Sequence, residues 1–284
     1  MSYQCFDVEI ENNIAHLRMK RPEKRNSMIP AFWNELPAII EDIDENVKAR
    51  VIVISSTGPH FTAGLDLDSF VMAERSENAD PVAREMARRQ RPAGFYQHVQ
   101  KMQRSFSVLE NCRIPVLAAI QGGAIGGGVD LITACDMRYM TADGFITVFE
   151  INIGMTADVG TFPRLVKLIP EGLVRELAYT GRRMPAEEAR QAGLVNAVYP
   201  DQEAMLKAVM NIAADIASKA PLAIAGCKRM INYARDHSTA DGLDYISIWN
   251  ASMLQPAEMQ EAIRARGESR DGEFADLPPM TKTV

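Results

Sequence analysis

The sequence predicts an α/β fold in which a largely parallel sheet is followed by a helical C-terminal region. Short runs of β-branched and other apolar residues recur at residues 51–54, 116–120 and 137–140, and segments with helical spacing separate them. This alternation is typical of βαβ units. After residue 160 the pattern becomes almost entirely helical.

The first third of the chain supports this class element by element. Residues 6–10 and 14–19 alternate apolar and polar side chains on either side of a short polar turn, which predicts a hairpin. Residues 29–43 carry apolar side chains at helical spacing, and Pro30 lies near the first turn, where its missing N–H costs little. The run at 51–54 contains only Val and Ile, which predicts a strand buried on both faces.

The remaining elements are more polar or more helical. Residues 66–92 are rich in Ala, Arg, Glu and Asp, and we expect a solvated insertion there that leads into a helix at residues 93–111. Regularly spaced apolar residues at 202–219 predict an amphipathic helix. Because such late helices often pack on a partner subunit, we expect an oligomer.

Composition argues against several classes of protein. The 284 residues carry a formal net charge of −6, whereas a general nucleic-acid binder usually shows a basic face. The four cysteines are scattered, which favours reduced thiols over a metal site. No apolar run is long enough to cross a bilayer, and neither end carries a recognisable targeting pattern. We therefore expect a cytoplasmic protein with no metal, nucleic-acid or membrane partner.

A glycine-rich segment at residues 121–130 is the first candidate for chemistry. It follows the strand at 116–120 and opens a helical pattern, so its amides would lie at a helix N-terminus. That arrangement suits a phosphate or a developing oxyanion. A tight packing turn explains the glycines alone equally well, and a dinucleotide loop is disfavoured because GxGxxG is absent. The loop at 60–67 follows the strand at 51–54 similarly, and the two loops together predict a two-donor site.

Three carboxylates near these loops are candidates for proton transfer: Asp130, Glu150 and Asp158. Asp130 falls in the first turn of the predicted helix, where it also suits the helix dipole. Glu150 ends an apolar run at 145–149, where burial would raise its pKa toward the range useful for proton transfer. Asp158 precedes another helical pattern and is equally well explained as an N-cap. Spacing alone does not bring the three together.

The glycine loop ending in Asp130, the FTAGLDL loop at residues 61–67 and the segment at Glu150 together resemble the crotonase (enoyl-CoA hydratase/isomerase) superfamily over residues 6–266. The resemblance implies a crotonase/ClpP-like spiral of ββα units over residues 1–200 and a helical trimerisation region over residues 201–284. It also implies an acyl-CoA thioester as substrate, no further cofactor, and a homotrimer or homohexamer.

The resemblance implies roles for particular residues as well. The amides of Leu65 and Gly127 would form an oxyanion hole for the thioester oxygen. Residues 69–90 would shape the acyl pocket. The CoA moiety would bind near Lys24, Arg25, Ala63 and Asp66.

Within the superfamily the chain is most similar to the Δ3,5-Δ2,4-dienoyl-CoA isomerase branch, which acts in fatty-acid β-oxidation. The strings GGAIGGGVDLITACDMRY and TADVGT support this branch. A hydratase typically carries glutamate at both positions matched by Asp130 and Glu150, and glycine at that of Asp158. By analogy Glu150 would serve acyl C2 and Asp158 would serve C6, or the reverse, while Asp130 tunes the network. The alternatives are a hydratase, another acyl-CoA isomerase, or a non-catalytic binding protein of the same fold.

Overall fold

A computed structural model describes residues 3–68 and 81–280, with side chains described outside residues 81–91. The role in the acyl pocket expected of residues 69–90 therefore falls outside the described part, apart from the backbone of the last ten. The strands are β1 (Phe6–Glu11), β2 (Ile14–Met19), β3 (Val51–Ser56), β4 (Val116–Ile120), β5 (Gly123–Ile125), β6 (Met137–Thr141), β7 (Phe145–Thr147), β8 (Met184–Pro185) and β9 (Ala197–Tyr199). The helices are α1 (Phe32–Glu45), α2 (Pro81–Asn111), α3 (Gly127–Ala134), α4 (Thr161–Leu165), α5 (Glu171–Thr180), α6 (Ala186–Gln191), α7 (Gln202–Ala217), α8 (Pro221–Ala234), α9 (Thr239–Met253) and α10 (Pro256–Gly267), with short 3₁₀ turns at Pro22–Lys24 and Glu150–Ile153.

The strands form two sheets. The larger one has the strand order β1-β2-β3-β4-β6-β9, parallel throughout except for the β1–β2 hairpin. The smaller one has the order β5-β7-β8, with β5 and β7 parallel. The chain leaves β4 for β5 and then α3, and it leaves β6 for β7, so each turn of the spiral places one strand in each sheet. The predicted α/β class and ββα spiral are confirmed.

The central strand β3 shows why the sheet sits in the middle of the core. Every residue of β3 is buried. Val51 and Val53 point to one face, where they pack in a cluster with α7, and Ile52 and Ile54 point to the other, toward α1 and α3. A β-branched run without alternation is therefore covered on both sides, as the sequence predicts.

Two helix boundaries and two short strands differ from the sequence prediction. Helix α1 begins at Phe32 rather than at residue 29, so Pro30 lies before the helix. A second proline, Pro37, is accommodated inside it. Helix α2 begins at Pro81, so residues 81–92 are helical rather than part of an insertion. Their Ala, Arg, Glu and Met residues are good helix formers, and this composition fits an exposed helix as well as a loop. The two- and three-residue strands β8 and β9 were not expected in the helical region.

The C-terminal region contributes to the core of its own chain. Helix α7 buries Met205, Val209 and Ala213 on the large sheet. Beyond α10 the chain returns to the body of the protein, where Leu277 is buried and Asp276 accepts a hydrogen bond from Arg50 at 2.7 Å. The division at residue 200 stays a prediction. Among the described residues no single helix has the length and apolar composition to span a membrane; α7 and α8 do so only as a pair bent by 108°.

Candidate active site

The two loops singled out in the sequence meet side by side at the ends of β3 and β4. Thr62 donates its backbone N–H to Gly123 at 3.2 Å and accepts one from Ile125 at 3.1 Å, so it pairs with Ala124 as a strand would. The loop after β3 thereby becomes a neighbour of β5. This pairing carries the following residues, 63–66, over the N-terminus of α3.

The backbone amides of Leu65 and Gly127 lie at the point of closest approach. A Cβ added to Gly64 would lie 3.0 Å from the nitrogen of Gly127 and 2.5 Å from the carbonyl oxygen of Ile125, and φ at Gly64 is +78°. Only glycine fits both requirements. Within residues 3–68 and 81–280 neither amide has a hydrogen-bond acceptor. Two free donors beside a helix N-terminus have the character of an oxyanion hole.

Asp130 lies in the first turn of α3 and is 1% exposed. Its Oδ1 accepts two hydrogen bonds from Thr161, one from the backbone N–H at 2.6 Å and one from the hydroxyl at 2.8 Å. Burial and the nearby Glu150 carboxylate raise the pKa of Asp130 to about 7, although the bonds from Thr161 and the charge of Arg164 oppose this. Asp130 is thus anchored at one oxygen while its proton affinity stays high.

Glu150 begins the 3₁₀ turn that follows β7 and faces the glycine loop. A Cβ added to Gly126 would lie 3.2 Å from Oε1 of Glu150. Its other oxygen, Oε2, is buried without a hydrogen-bond partner among the described residues. Burial raises the pKa of Glu150, its backbone hydrogen bonds lower it, and the Asp158 carboxylate raises it further. A buried, incompletely bonded carboxylate is well suited to accept a proton.

Asp158 completes the cluster from the segment before α4. It is half-buried, and burial raises its pKa. Gln103 of α2 fixes the segment by donating to the Asp158 carbonyl oxygen at 2.7 Å. A cavity of about 530 Å³ opens beside Asp158, between α2, α4 and the end of α8. The N-cap interpretation of Asp158 is wrong, because α4 begins at Thr161 and its N-cap residue is Gly160.

The structure brings the three predicted carboxylates together. Glu150 influences the pKa of Asp130, and Asp158 influences that of Glu150, so the groups form a chain with Glu150 in the middle. All three pKa values are raised, so each of these groups binds its proton more tightly than an isolated carboxyl group does. Such a cluster can both remove and return protons beside a fixed oxyanion hole.

The residues expected to bind CoA lie in and beside the loop after β3, which carries the amide of Leu65. Lys24 and Arg25 are exposed on the 3₁₀ turn and the residue after it. Ala63 donates its N–H to the Arg25 carbonyl oxygen at 2.9 Å, which ties this segment to the loop after β3. Asp66 accepts a hydrogen bond from the Ser27 hydroxyl at 2.7 Å. Lys24 and Arg25 are thus exposed beside this loop, and their role in binding CoA stays a prediction.

Sequence reasoning missed the residues that support the carboxylates. Thr161 is fully buried and is the first residue of α4, yet it belongs to the TADVGT string that was noted only for Asp158. Arg164 follows one helical turn later and bonds Glu110 at 2.7 Å. Its Nη1 is buried without a partner among the described residues. The T-x-x-R spacing places both side chains near one end of a short helix, but it does not reveal which carboxylate they serve.

Comparison with known proteins identifies the family. The model of the enoyl-CoA hydratase/isomerase family matches residues 9–277. The mitochondrial Delta(3,5)-Delta(2,4)-dienoyl-CoA isomerase of Rattus norvegicus is 43% identical over 274 residues, which are 95% of this chain and 81% of the rat protein. The peroxisomal enzyme of the same name from Arabidopsis thaliana is 35% identical, covering 97% of this chain and 99% of its own. An enoyl-CoA hydratase from Bacillus anthracis superposes with a TM-score of 0.83 at 28% identity, covering 95% of this chain and 99% of that one.

These relatives also correct one prediction. The cytoplasmic location expected from the missing targeting patterns is wrong by this comparison, because the relatives from rat and Arabidopsis are named mitochondrial and peroxisomal. The rat protein has residues with no counterpart here, since only 81% of it is matched. A targeting pattern missing from these 284 residues is therefore a poor guide to compartment.

The family match covers nearly the whole chain and includes both amide loops and all three carboxylates. The fold predicted from the resemblance is confirmed by the superposition. The chain belongs to the enoyl-CoA hydratase/isomerase family.

Proposed function

We propose that the chain is a Δ3,5-Δ2,4-dienoyl-CoA isomerase. It would convert a 3,5-dienoyl-CoA into the conjugated 2,4-dienoyl-CoA. The relatives of that name at 35% to 43% identity support the reaction. One structural observation carries it: Asp158 adds a third carboxylate to the pair at Asp130 and Glu150.

The reaction needs proton transfer at two distant carbons. A proton leaves C2, the charge spreads over a dienolate with its oxygen at C1, and a proton arrives at C6. The double bonds at C3 and C5 thereby move to C2 and C4. A single carboxylate cannot easily serve both ends of this system, whereas two carboxylates at its two ends can.

In the proposed assignment Glu150 removes the proton from C2 and Asp158 supplies the one to C6. The amides of Leu65 and Gly127 stabilise the thioester oxygen as it gains charge, an interaction that is stronger in the transition state than in the substrate. After one turnover Glu150 holds the proton that Asp158 has lost. Because the two carboxylates are close enough to interact electrostatically, Glu150 can return this proton to Asp158 before the next turnover.

The test is an assay of the purified protein with 3,5-octadienoyl-CoA, following the ultraviolet absorbance of the conjugated product. Glu150→Gln and Asp158→Asn are compared with the wild type. We expect isomerisation by the wild type and a loss of about a thousandfold in each variant, the usual scale for a proton-transfer group. Isomerisation that survives both substitutions would contradict the proposal.

Hydration is the rival activity, because the chain superposes on an enoyl-CoA hydratase. A 2-enoyl-CoA is therefore assayed in parallel for water addition. Ready hydration without dienoyl isomerisation would make the chain a hydratase and Asp158 a bystander. CoA-thioester binding without either reaction would favour a non-catalytic protein.

The same proposal includes a homotrimer or homohexamer. Helices α8, α9 and α10 expose large apolar side chains that an isolated chain would leave in water, among them Ile231 at 64%, Leu243 at 63% and Ile263 at 70%. A subunit interface would cover them. Analytical ultracentrifugation tests this: a mass of three or six chains is expected, and a stable monomer would contradict it.

A further inference from the structure

Thr161 is the buried residue closest to the chemistry that the proposed mechanism leaves unused. Its backbone N–H and its hydroxyl both donate to the same oxygen, Oδ1 of Asp130, at 2.6 and 2.8 Å. Thr161 is fully buried, and Asp130 is 1% exposed. The two bonds therefore operate away from competing water, where hydrogen bonds to a charged group are strong.

Two donors on one oxygen restrict what Asp130 can do. Because Oδ1 accepts both bonds, a proton held by Asp130 must lie on Oδ2. Both bonds also stabilise the ionised form of the carboxyl group. Asp130 is thus pushed toward the role of a fixed negative charge beside Glu150, rather than that of a proton carrier.

The other charged groups around Asp130 come from two elements. Glu150 of the 3₁₀ turn favours the protonated form of Asp130, and Arg164 of α4 favours the ionised form. Arg164 is itself held by Glu110 of α2 at 2.7 Å, and Asp158 acts on the cluster through Glu150. Burial works in the same direction as Glu150, and together they raise the pKa, so the bonds from Thr161 are the largest influence that favours the ionised form of Asp130.

We propose that Thr161 is a positioning residue that fixes Asp130 as a hydrogen-bond acceptor, so that the protons exchanged with substrate stay on Glu150 and Asp158. This inference rests on the proposed isomerase function. It assigns Asp130 the task of holding a charge next to the base. The side chain of Thr161 need not touch the substrate to perform this role.

The test compares Thr161→Val, which removes the hydroxyl but keeps the N–H, with Thr161→Ser, which keeps both. Thr133→Val is the matched control, because Thr133 is equally buried on α3 but its hydroxyl bonds only backbone oxygens of that helix. The rate kcat/KM for 3,5-octadienoyl-CoA is measured from pH 5 to pH 9.

In this role Asp130 must be ionised as well as Glu150. Because the lost charge-assisted hydrogen bond raises the pKa of Asp130, we expect the acidic limb of the Thr161→Val profile to move up by about one pH unit. At the wild-type midpoint of that limb this is about a fivefold loss of rate; the loss approaches about tenfold at lower pH and shrinks at high pH. Thr161→Ser should follow the wild type. Thr133→Val should keep the wild-type midpoint even if its activity falls.

A second readout does not depend on turnover. In protein labelled with ¹³C at the Asp carboxyl carbon, the resonance of Asp130 is identified by its loss in Asp130→Asn, and its titration midpoint should rise in Thr161→Val. If the wild type shows no isomerase activity, the proposed function fails while this titration still decides the role of Thr161. A uniform loss of rate in Thr161→Val, with both midpoints unmoved, would overturn the inference.

Discussion

The two halves of the active site are built from different materials. The amide half consists of backbone: the loop at residues 62–66 is paired to β5, and Gly64 lies against Ile125 and Gly127. The carboxylate half consists of side chains whose pKa values are raised, and one oxygen of Glu150 has no partner among the described residues. In one half the bonded backbone holds two aimed donors in place, and in the other a carboxylate oxygen is left without a partner among the described residues.

The difference follows from what each half does. An oxyanion hole acts through fixed dipoles, and it costs no reorganisation only if the backbone cannot move. A carboxylate that exchanges protons must be able to exist in both its ionised and its protonated form. Hydrogen bonds that fully stabilised one of these forms would prevent proton exchange. The fixed backbone of the amide half and the missing hydrogen bond in the carboxylate half therefore both serve the proposed chemistry. The predictions that follow try to break each half separately.

The largest effect is expected from closing the amide half. In Gly64→Ala the new methyl group would collide with the Ile125 carbonyl and with the amide of Gly127, at a φ that alanine adopts only with strain. We expect a loss of kcat/KM of about a thousandfold, of the size seen when an oxyanion donor is removed. Gly172→Ala is the control, since a Cβ there meets nothing within 4 Å in helix α5. It should leave activity unchanged and stabilise slightly.

The pH profile probes the carboxylate half without any substitution. Glu150 must be ionised to remove a proton and Asp158 must be protonated to supply one, which gives a bell-shaped profile of kcat/KM. Burial raises the pKa of both groups. The acidic limb should therefore lie above pH 4, where ordinary carboxyl groups titrate, and the rate should fall about tenfold per unit below it. An acidic limb at or below pH 4 would show that the cluster is not desolvated during turnover.

A smaller effect measures the cost of burying Asp130. Its pKa rises from about 4 in the unfolded chain to about 7 in the folded protein, so between these values the folded state binds more protons. The free energy of unfolding should therefore fall as pH rises through this window. Asp130→Asn cannot ionise but still accepts the bonds from Thr161. We expect its free energy of unfolding to exceed that of the wild type by about 4 kcal/mol at pH 8, with a difference that shrinks toward pH 4.

Urea unfolding at fixed protein concentration, at pH 5 and at pH 8, measures this difference. The other two carboxylates are present in both proteins, so the change in the pH dependence reports on Asp130. Parallel pH dependences for wild type and variant would mean that Asp130 is ionised in the folded protein at no cost.

The amide half was largely predictable from the sequence, and the carboxylate half only in part. Strand runs followed by glycine-rich loops carry local signals, so β3, β4 and the loops after them could be placed correctly. The three carboxylates were singled out from their positions in the sequence, but their convergence came from the family resemblance, because residues 130, 150 and 158 are joined only by the spiral. Thr161 was missed for the same reason: its bond to Asp130 spans 31 positions of the chain.

Helix boundaries failed where composition is ambiguous. Residues 81–92 suit both a polar loop and an exposed helix, and the structure shows the helix. The short strands β8 and β9 contain two and three residues, too few for periodicity to register. In each case the secondary structure depends on contacts with distant elements, and the local sequence pattern does not reveal those contacts.

The smallest effect is expected from Ser27→Ala, which tests whether the amide half depends on side-chain hydrogen bonds. Ser27 donates to Asp66 at 2.7 Å, next to the amide of Leu65. The backbone already fixes this loop, because Met28 donates to Gly64 at 2.8 Å and accepts from Asp66 at 3.2 Å. We expect Ser27→Ala to lower the free energy of unfolding by about 1 kcal/mol and kcat/KM by about threefold at most.

Ser218→Ala is the matched control, since the Ser218 hydroxyl bonds only the Asp215 carbonyl oxygen on an exposed helix end. It should leave both quantities within error of the wild type. A hundredfold loss of kcat/KM in Ser27→Ala, without a matching loss of stability, would show that the hole is held open by a side-chain contact. The contrast between a backbone half and a side-chain half would then fail, because both halves would depend on hydrogen bonds that a single substitution removes.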